Sequence, residues 1–331
     1  MEPTQLMVNL PMEGELPSLE GATGWLNSPP LSGADLRGKV VLIDFWTYTC
    51  VNWLRTLGYV RAWAEKYEDQ GLVVVGVHTP EFPFEREVDN VRQAAKDMRV
   101  EYPIVLDSDY AVWRAFSNQY WPAVYVADAE GRIRHHQFGE GGYAECERTI
   151  QQLLRDAGRD GIGDDLVSVA DDGFEAQADW ANLGSPETYL GYEQARNFAS
   201  PGGAELDRSH TYVAPDSLRL NQWGLSGDWT VERGAAMLNR AEGGITFGFH
   251  ARDVNLVMGP PSRDTSVPFR VLVDGQPPGA GHGVDIDEEG NGTATQQRMY
   301  QLIRQRGPVT DRTFEIRFVG PGVEAYAFTF G

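Results

Sequence analysis

Only two cysteines, Cys50 and Cys146, occur in the 331 residues, so no disulfide framework underlies this fold. Their scarcity fits a reducing compartment, or a chain that does without such staples. Long apolar runs are missing too: no window offers about 18 uninterrupted apolar residues, which argues against a membrane-spanning helix. The opening stretch MEPTQLMVNLPMEGELPSLEG lacks the basic and continuous apolar regions of an export signal, and the expectation is a soluble, cytoplasmic chain. Positive charge is also short, with 28 Lys and Arg against 48 Asp and Glu and a formal net charge of -20. Such a field repels phosphate backbones and anionic lipid, which argues against nucleic-acid or membrane-surface binding as a main role. The six histidines are scattered, and the adjacent His135 and His136 would point to opposite faces of a strand, so no zinc or iron centre is expected.

What is present divides by periodicity. Residues 39–46 (KVVLIDFW), 72–78 (LVVVGVH), 103–107 (PIVLD) and 123–128 (AVYVAD) are short apolar runs that read as strands buried on both faces. Residues 51–69 place Trp53, Leu54, Leu57, Val60, Trp63 and Ala64 at helical spacing, and residues 89–98 and 110–117 give two shorter helices. This alternation predicts a central α/β sheet. The turn Ala129-Glu130-Gly131-Arg132 leads into RIRHHQFG as an antiparallel hairpin, and a helix over 143–157 closes a first domain assigned to residues 1–157. Residues 158–185 are rich in Gly, Asp and Ala and read as a linker. Over residues 186–331 the period changes to two. LRLNQW, DWTVER, GITFGFH, VNLVMG, FRVLVDG, MYQLIRQ, TFEIRF and EAYAFTF predict an all-β, jelly-roll-type sandwich.

The chemistry concentrates between Leu42 and Trp53, where an apolar strand runs into Cys50 at the start of an amphipathic helix. A helix N-terminus carries partial positive charge and unsatisfied N–H groups, so it favours a thiolate and draws a cysteine pKa below its free value of about 8.5. The alternative is a buried apolar cysteine without chemistry. One thiolate can attack a peroxide and become a sulfenic acid, or enter a mixed disulfide that an outside thiol must reduce. Arg55 and Arg114 are candidates to stabilise the charged sulfur, with ion-paired or solvated surface roles as the alternative. Asp44, among apolar strand neighbours, is expected to have a pKa raised by desolvation.

The phrases FWTYTCVNWLRT, GVHTPEF, AVWRAF followed by NQYWPAVYVAD, and RHHQFGEGGY are similar in order and spacing to the thioredoxin superfamily. Within it they resemble the TlpA-like and DipZ-like redoxin branch, over roughly residues 15–157. SPETYLG and the ending VEAYAFTFG resemble the β-sandwich that follows the redoxin domain in DipZ-type proteins. The resemblance implies a thioredoxin-like fold and thiol-dependent oxidoreductase or antioxidant activity. It makes Cys50 the attacking cysteine, Trp46 the aromatic residue before the active-site loop, and Asp44 the buried carboxylate that assists proton transfer. It makes Trp121-Pro122 the dipeptide whose cis proline faces the sulfur and positions a substrate main chain. Trp53 stands at the resolving-cysteine position, so a Cys-x-x-Cys disulfide cannot form, and Gly58 replaces the usual kinking proline. Thr47 stands where peroxide-reducing redoxins place a peroxide-orienting hydroxyl, although Ile43 replaces their upstream proline. Cys146 would lie near the active-site edge, either to resolve an oxidised Cys50 or as a passive helix residue; a disulfide needs Cα atoms within about 7 Å.

In the second domain Asp285, Asp287 and Glu289 resemble part of a calcium loop, but Gln296 occupies the position that needs an acid, and a plain acidic connection is the alternative. No other cofactor is expected. The sandwich resembles carbohydrate-binding modules, with Trp223, Trp229, Tyr300 and Tyr326 serving either to stack on a glycan or as core. The leading expectation is a one-cysteine oxidoreductase acting on a peroxide or protein disulfide with an external thiol reductant. The alternative is a non-catalytic binding protein that uses the thioredoxin-like surface for peptides and the sandwich for a glycan or partner.

Overall fold

The computed structural model describes residues 10–170 and 172–331, which form two compact units, one ending at Glu175 and the other beginning at Ala176. Among the described residues of the first unit the elements run β1 (Gly14–Glu15), β2 (Gly24–Leu26), α1 (Gly33–Leu36), β3 (Val40–Trp46), α2 (Val51–Tyr67) and β4 (Leu72–His78). They continue with α3 (Val88–Asp97), β5 (Ile104–Leu106), α4 (Ala111–Ala115), β6 (Ala123–Ala127), β7 (Arg132–Phe138) and α5 (Tyr143–Asp156). The sheet order is β1-β7-β6-β3-β4-β5-β2. β3 lies at its centre, parallel to β4 (Val40 opposite Leu72, Trp46 opposite His78) and antiparallel to β6. All seven residues of β3 are buried, as a strand with neighbours on both edges and cover on both faces requires.

Strand alternation sends Ile43 and Phe45 to one face, where they join Val75, Val77, Val112 and Tyr125 in a continuous apolar core. Asp44 and Trp46 therefore face the other side, where Trp46 stacks on Trp53 of α2. Trp53, Leu57, Val60 and Trp63 of α2 and Ile150, Leu153 and Leu154 of α5 are all buried. Each such side chain contributes about 1.5–3 kcal/mol, which fixes α2, and with it the residue at its N-terminus, against the sheet.

Composition marks residues 158–185 as a linker, yet residues 159–170 and 172–175 pack against the rest of the first unit. Lys66 Nζ and Gln151 Nε2 donate to the Asp165 carbonyl, at 2.5 and 2.9 Å, and Val167 N donates to Glu147 at 2.9 Å. Arg61 pairs with both oxygens of Glu175 at 2.6 and 2.8 Å. A Cβ on Gly58 would lie 2.4 Å from Val169 and 2.8 Å from the Glu175 carboxylate, so the missing side chain makes room for this segment on α2.

The second unit is all β: β8 (Thr188–Tyr189), β9 (Ser209–Tyr212), β10 (Trp223–Val231), β11 (Ala236–Leu238), β12 (Gly243–Phe249) and β13 (Asp253–Gly259). β14 (Val267–Val273), β15 (Asn291–Ala294), β16 (Arg298–Arg304), β17 (Arg312–Phe318) and β18 (Glu324–Phe330) complete it. One row runs β15-β14-β17-β12-β10 and the other β10-β11-β18-β13-β16. β10 belongs to both: its first half pairs with β12 and its second with β9 and β11, the change falling at Gly227, which adopts φ 89°. The expected strand LRLNQW does not form over 218–222; Asn221 sits at φ 65°, ending the approach in a turn, and Trp223 instead opens β10.

Candidate active site

After Trp46 the chain turns through Thr47, Tyr48 and Thr49, and Cys50 is the N-cap of α2 with extended backbone (φ -74°, ψ 111°). Its N–H donates to the Thr47 carbonyl at 3.2 Å, and its carbonyl closes the first helical turn by accepting from Leu54 N at 3.0 Å. The first turn carries no acidic side chain, so the helix N-terminus acts on the sulfur without a helical counter-charge. Cys50 is partly exposed, and its Sγ–H donates to the Trp121 carbonyl at 3.7 Å, beside the cis Trp121–Pro122 bond. A helix end favours an anionic group beside it, and a carbonyl acceptor favours a thiol that can donate to it. The Trp121 indole N–H donates to the Thr79 carbonyl at 3.0 Å and its ring meets Trp113 at 4.2 Å, while buried Pro122 accepts from Gly139 N at 2.9 Å. The turn that faces the sulfur is thereby held on three sides.

Beneath Cys50, Trp53 is fully buried, stacked on Trp46 at 4.4 Å, and its indole N–H donates to Asp44 Oδ2 at 2.9 Å. Tyr102 also donates to Asp44 Oδ2, at 3.5 Å, but Asp44 Oδ1 has no hydrogen-bond partner. Burial raises the Asp44 pKa to about 7, against the lowering effect of the Trp53 and Tyr102 bonds. Trp53 thus fills the place of a second thiol and bonds the carboxylate beneath it.

Thr47 is fully buried, with Oγ1 3.5 Å from His78 Nε2 and a hydrogen bond to Glu85. Its hydroxyl is thus engaged by neighbours inside the fold, an arrangement at odds with orienting a peroxide at the sulfur. Thr49 Oγ1 donates to Glu85 Oε1 at 2.6 Å. Burial holds His78 neutral, its pKa lowered to about 3. Arg55, one turn into α2, is a cation paired with Glu140 at 2.9 Å, the ion-paired role weighed for it, but buried and not at the surface. Arg114 is exposed. Cys146 lies in the second turn of α5, 2% exposed; burial pushes its thiol well up, and the Glu147 and Asp44 charges push in the same direction. No disulfide joins the two cysteines.

In the second unit Asp285 pairs with Arg298 at 2.6 Å and accepts from Gln301 N at 2.8 Å. Asp287 accepts from Asn291 N at 2.7 Å, and Glu289 is exposed. The two aspartates are bonded within their own fold, and among the described residues no group of three or more His, Cys, Asp or Glu is placed to hold a metal ion. Trp223, Trp229, Tyr300 and Tyr326 are at most 5% exposed, so these four form no sugar-stacking platform; their polar atoms bond inward, as in Trp229 Nε1 to the Ser226 carbonyl at 2.8 Å.

Two family models match the chain: the AhpC/TSA family over residues 15–136 and a thioredoxin-like C-terminal domain over residues 185–331. The thiol-disulfide oxidoreductase YkuV of Bacillus subtilis is 34% identical over 139 residues, which cover 42% of this chain and 93% of YkuV. The chain belongs to the thioredoxin-like thiol-disulfide oxidoreductase family. Protein DipZ of Mycobacterium tuberculosis is 37% identical to this family member over 321 residues, 96% of the chain; the chain spans 43% of the length of DipZ. A thioredoxin-like protein solved in solution in its oxidised form is 33% identical, over 43% of this chain and 96% of its own, with a TM-score of 0.40.

Sequence reasoning missed Glu85, Tyr102, Glu140 and His78. Each acts through a partner distant in the chain: 36 residues separate Thr49 from Glu85, 58 separate Asp44 from Tyr102, and 85 separate Arg55 from Glu140. The local signal was a histidine and two acids, Glu81 and Glu85, in a stretch otherwise mostly apolar at 76–85.

Proposed function

We propose that this redoxin is a one-cysteine thiol-disulfide oxidoreductase. The observation that supports it is the partly exposed N-cap sulfur of Cys50 beside cis Pro122, with a fully buried tryptophan at the second-thiol position. The Cys50 thiolate attacks one sulfur of a substrate disulfide; a Cys50–substrate disulfide forms, and the other substrate sulfur leaves as thiolate and takes a proton. An external thiolate then attacks Cys50 Sγ and releases the first substrate sulfur, and a second external thiol frees Cys50. Two external thiols are oxidised to one disulfide and the substrate disulfide is reduced to two thiols.

The test treats wild type and Cys50→Ser with oxidised glutathione or a disulfide-bonded peptide, and follows adducts by peptide-resolved mass spectrometry. The expected result is one adduct per chain, at Cys50, that persists until reduced glutathione is added. Absence of the adduct, with Cys50 alkylation midway at or above the free-cysteine value of about 8.5, overturns the reading in favour of a binding protein. Hydrogen peroxide is the parallel arm. Catalytic consumption faster than disulfide reduction would make the peroxide the substrate instead.

A further inference from the structure

The turn that delivers Cys50 to its helix is anchored from outside by a carboxylate of the neighbouring loop. Glu85, in the single 3-10 turn Pro83–Arg86, is 1% exposed. Its two oxygens divide their work. Oε1 accepts from Thr49 Oγ1 at 2.6 Å, on the residue immediately before Cys50. Oε2 accepts from the backbone N–H groups of Glu81 and Phe82 at 2.7 and 2.9 Å. Thr47, whose carbonyl receives the Cys50 N–H, also bonds Glu85. Thr47 and Thr49 of the turn are therefore both tied to one buried group on a separate loop, while the Cys50 side chain makes no cap bond.

We infer that Glu85 is the positioning residue of the active-site turn: through Thr49 it holds Cys50 at the N-cap of α2, beside the positive end of the helix dipole. The inference rests on Cys50 being the reactive thiol. It makes a prediction opposite in sign to simple electrostatics. A nearby negative charge by itself disfavours a thiolate, so if Glu85 acted only through its charge, neutralising it would make Cys50 more acidic and faster to alkylate. If Glu85 acts by position, loosening the turn moves the sulfur off the helix end and makes Cys50 less acidic and slower.

The experiment measures iodoacetamide alkylation of Cys50 across pH 5 to 10, with the modified peptide resolved from that of Cys146. It compares wild type with Glu85→Gln, Thr49→Val and Thr49→Ser. A glutamine cannot serve both a hydroxyl donor and two backbone donors with carboxylate-like oxygens; valine removes only the hydroxyl and keeps the Glu85 charge; serine keeps the hydroxyl. Expected are midpoints shifted to higher pH in Glu85→Gln and Thr49→Val, alkylation at pH 7 slower by about fivefold, the size of one lost hydrogen bond, and a wild-type profile in Thr49→Ser. The double variant Glu85→Gln/Thr49→Val would be no slower than the slower single variant, because both cut one link. The inference fails if Thr49→Val leaves the profile of Cys50 unchanged, or if Glu85→Gln lowers the midpoint. Should Glu85→Gln not fold, the threonine pair decides alone. A wild-type Cys50 that alkylates no faster than free cysteine would instead sink the functional reading, before any variant is compared.

Discussion

Asp44 makes the thermodynamic cost of this site measurable. Its carboxyl is fully buried, one oxygen has no partner, and its pKa lies at about 7 rather than the ordinary 3.8. Because the folded-state value is above the unfolded one, the stability associated with this group is full below about pH 4 and is lost as pH rises through about 7. A tenfold change in proton affinity corresponds to about 1.4 kcal/mol, so the difference between 3.8 and about 7 caps the loss at about 4 kcal/mol. Asp44→Asn preserves an acceptor for the Trp53 indole and removes the titration. The variant is expected to match or trail wild type near pH 4 and to exceed it by up to about 4 kcal/mol at pH 8. His78 imposes an opposing slope: its pKa, lowered to about 3, makes the fold lose stability as pH falls below its ordinary 6.5. Other buried groups, Glu85 and Glu140 among them, add slopes of their own, and the difference between wild type and variant isolates Asp44. Urea unfolding at half-unit pH steps provides the assay. Parallel curves for the two proteins between pH 4 and 8 would refute a buried, titrating Asp44.

Two further substitutions probe the groups around the thiol. Trp53→Cys, which writes a Cys-x-x-Cys motif into the chain, removes a fully buried ring stacked on Trp46 and the donor to Asp44; it is expected to cost about 3–5 kcal/mol in urea unfolding, and a cost under about 1 kcal/mol would show that the ring is not the packing element described. Arg55→Met leaves Glu140 buried without its cation and is expected to cost about 3–5 kcal/mol, most of it recovered in Arg55→Met/Glu140→Met; equal losses in the single and double variants would contradict a buried ion pair.

The centre of the first unit was legible because β3, β4 and β6 are covered on both faces and so carry short, mostly apolar runs rich in valine. β1 and β2, of two and three residues, carry no such signal and are strands only because β7 and β5 offer free edges. In the second unit a turn at Asn221 and the fusion of two expected strands around Trp223–Val231 escaped detection, since period-two patterning does not register a bend at one glycine. Residues 159–170 and 172–175 read as a linker because their partners, Glu147, Lys66, Gln151 and Arg61, lie elsewhere in sequence, and a Gly- and Asp-rich segment carries no apolar period to betray such contacts. The strand–helix junction revealed where Cys50 sits, whereas the partners of its turn did not follow from spacing. Glu85 is an acid in EFPFER and looks like surface until Thr49 is found beside it.

If Cys50 carries the proposed chemistry, a tryptophan in place of a second thiol changes its kinetics more than its type. In a dithiol site the second sulfur is tethered to the mixed disulfide, and tethering gives an effective concentration of millimolar order or above, independent of the surroundings. Here the position is occupied by an indole bonded to Asp44, and the other thiol of the chain, Cys146, is buried and held protonated. On the proposed one-cysteine reading, resolution is bimolecular and proportional to the external thiol. An adduct on Cys50 accumulates when that thiol is scarce and clears when it is abundant, so the lifetime of the mixed disulfide, measured against reduced glutathione from micromolar to millimolar, should scale inversely with concentration with no intercept. A finite intercept would mean that a sulfur within the chain reaches Cys50, and the single-thiol reading would fall with it.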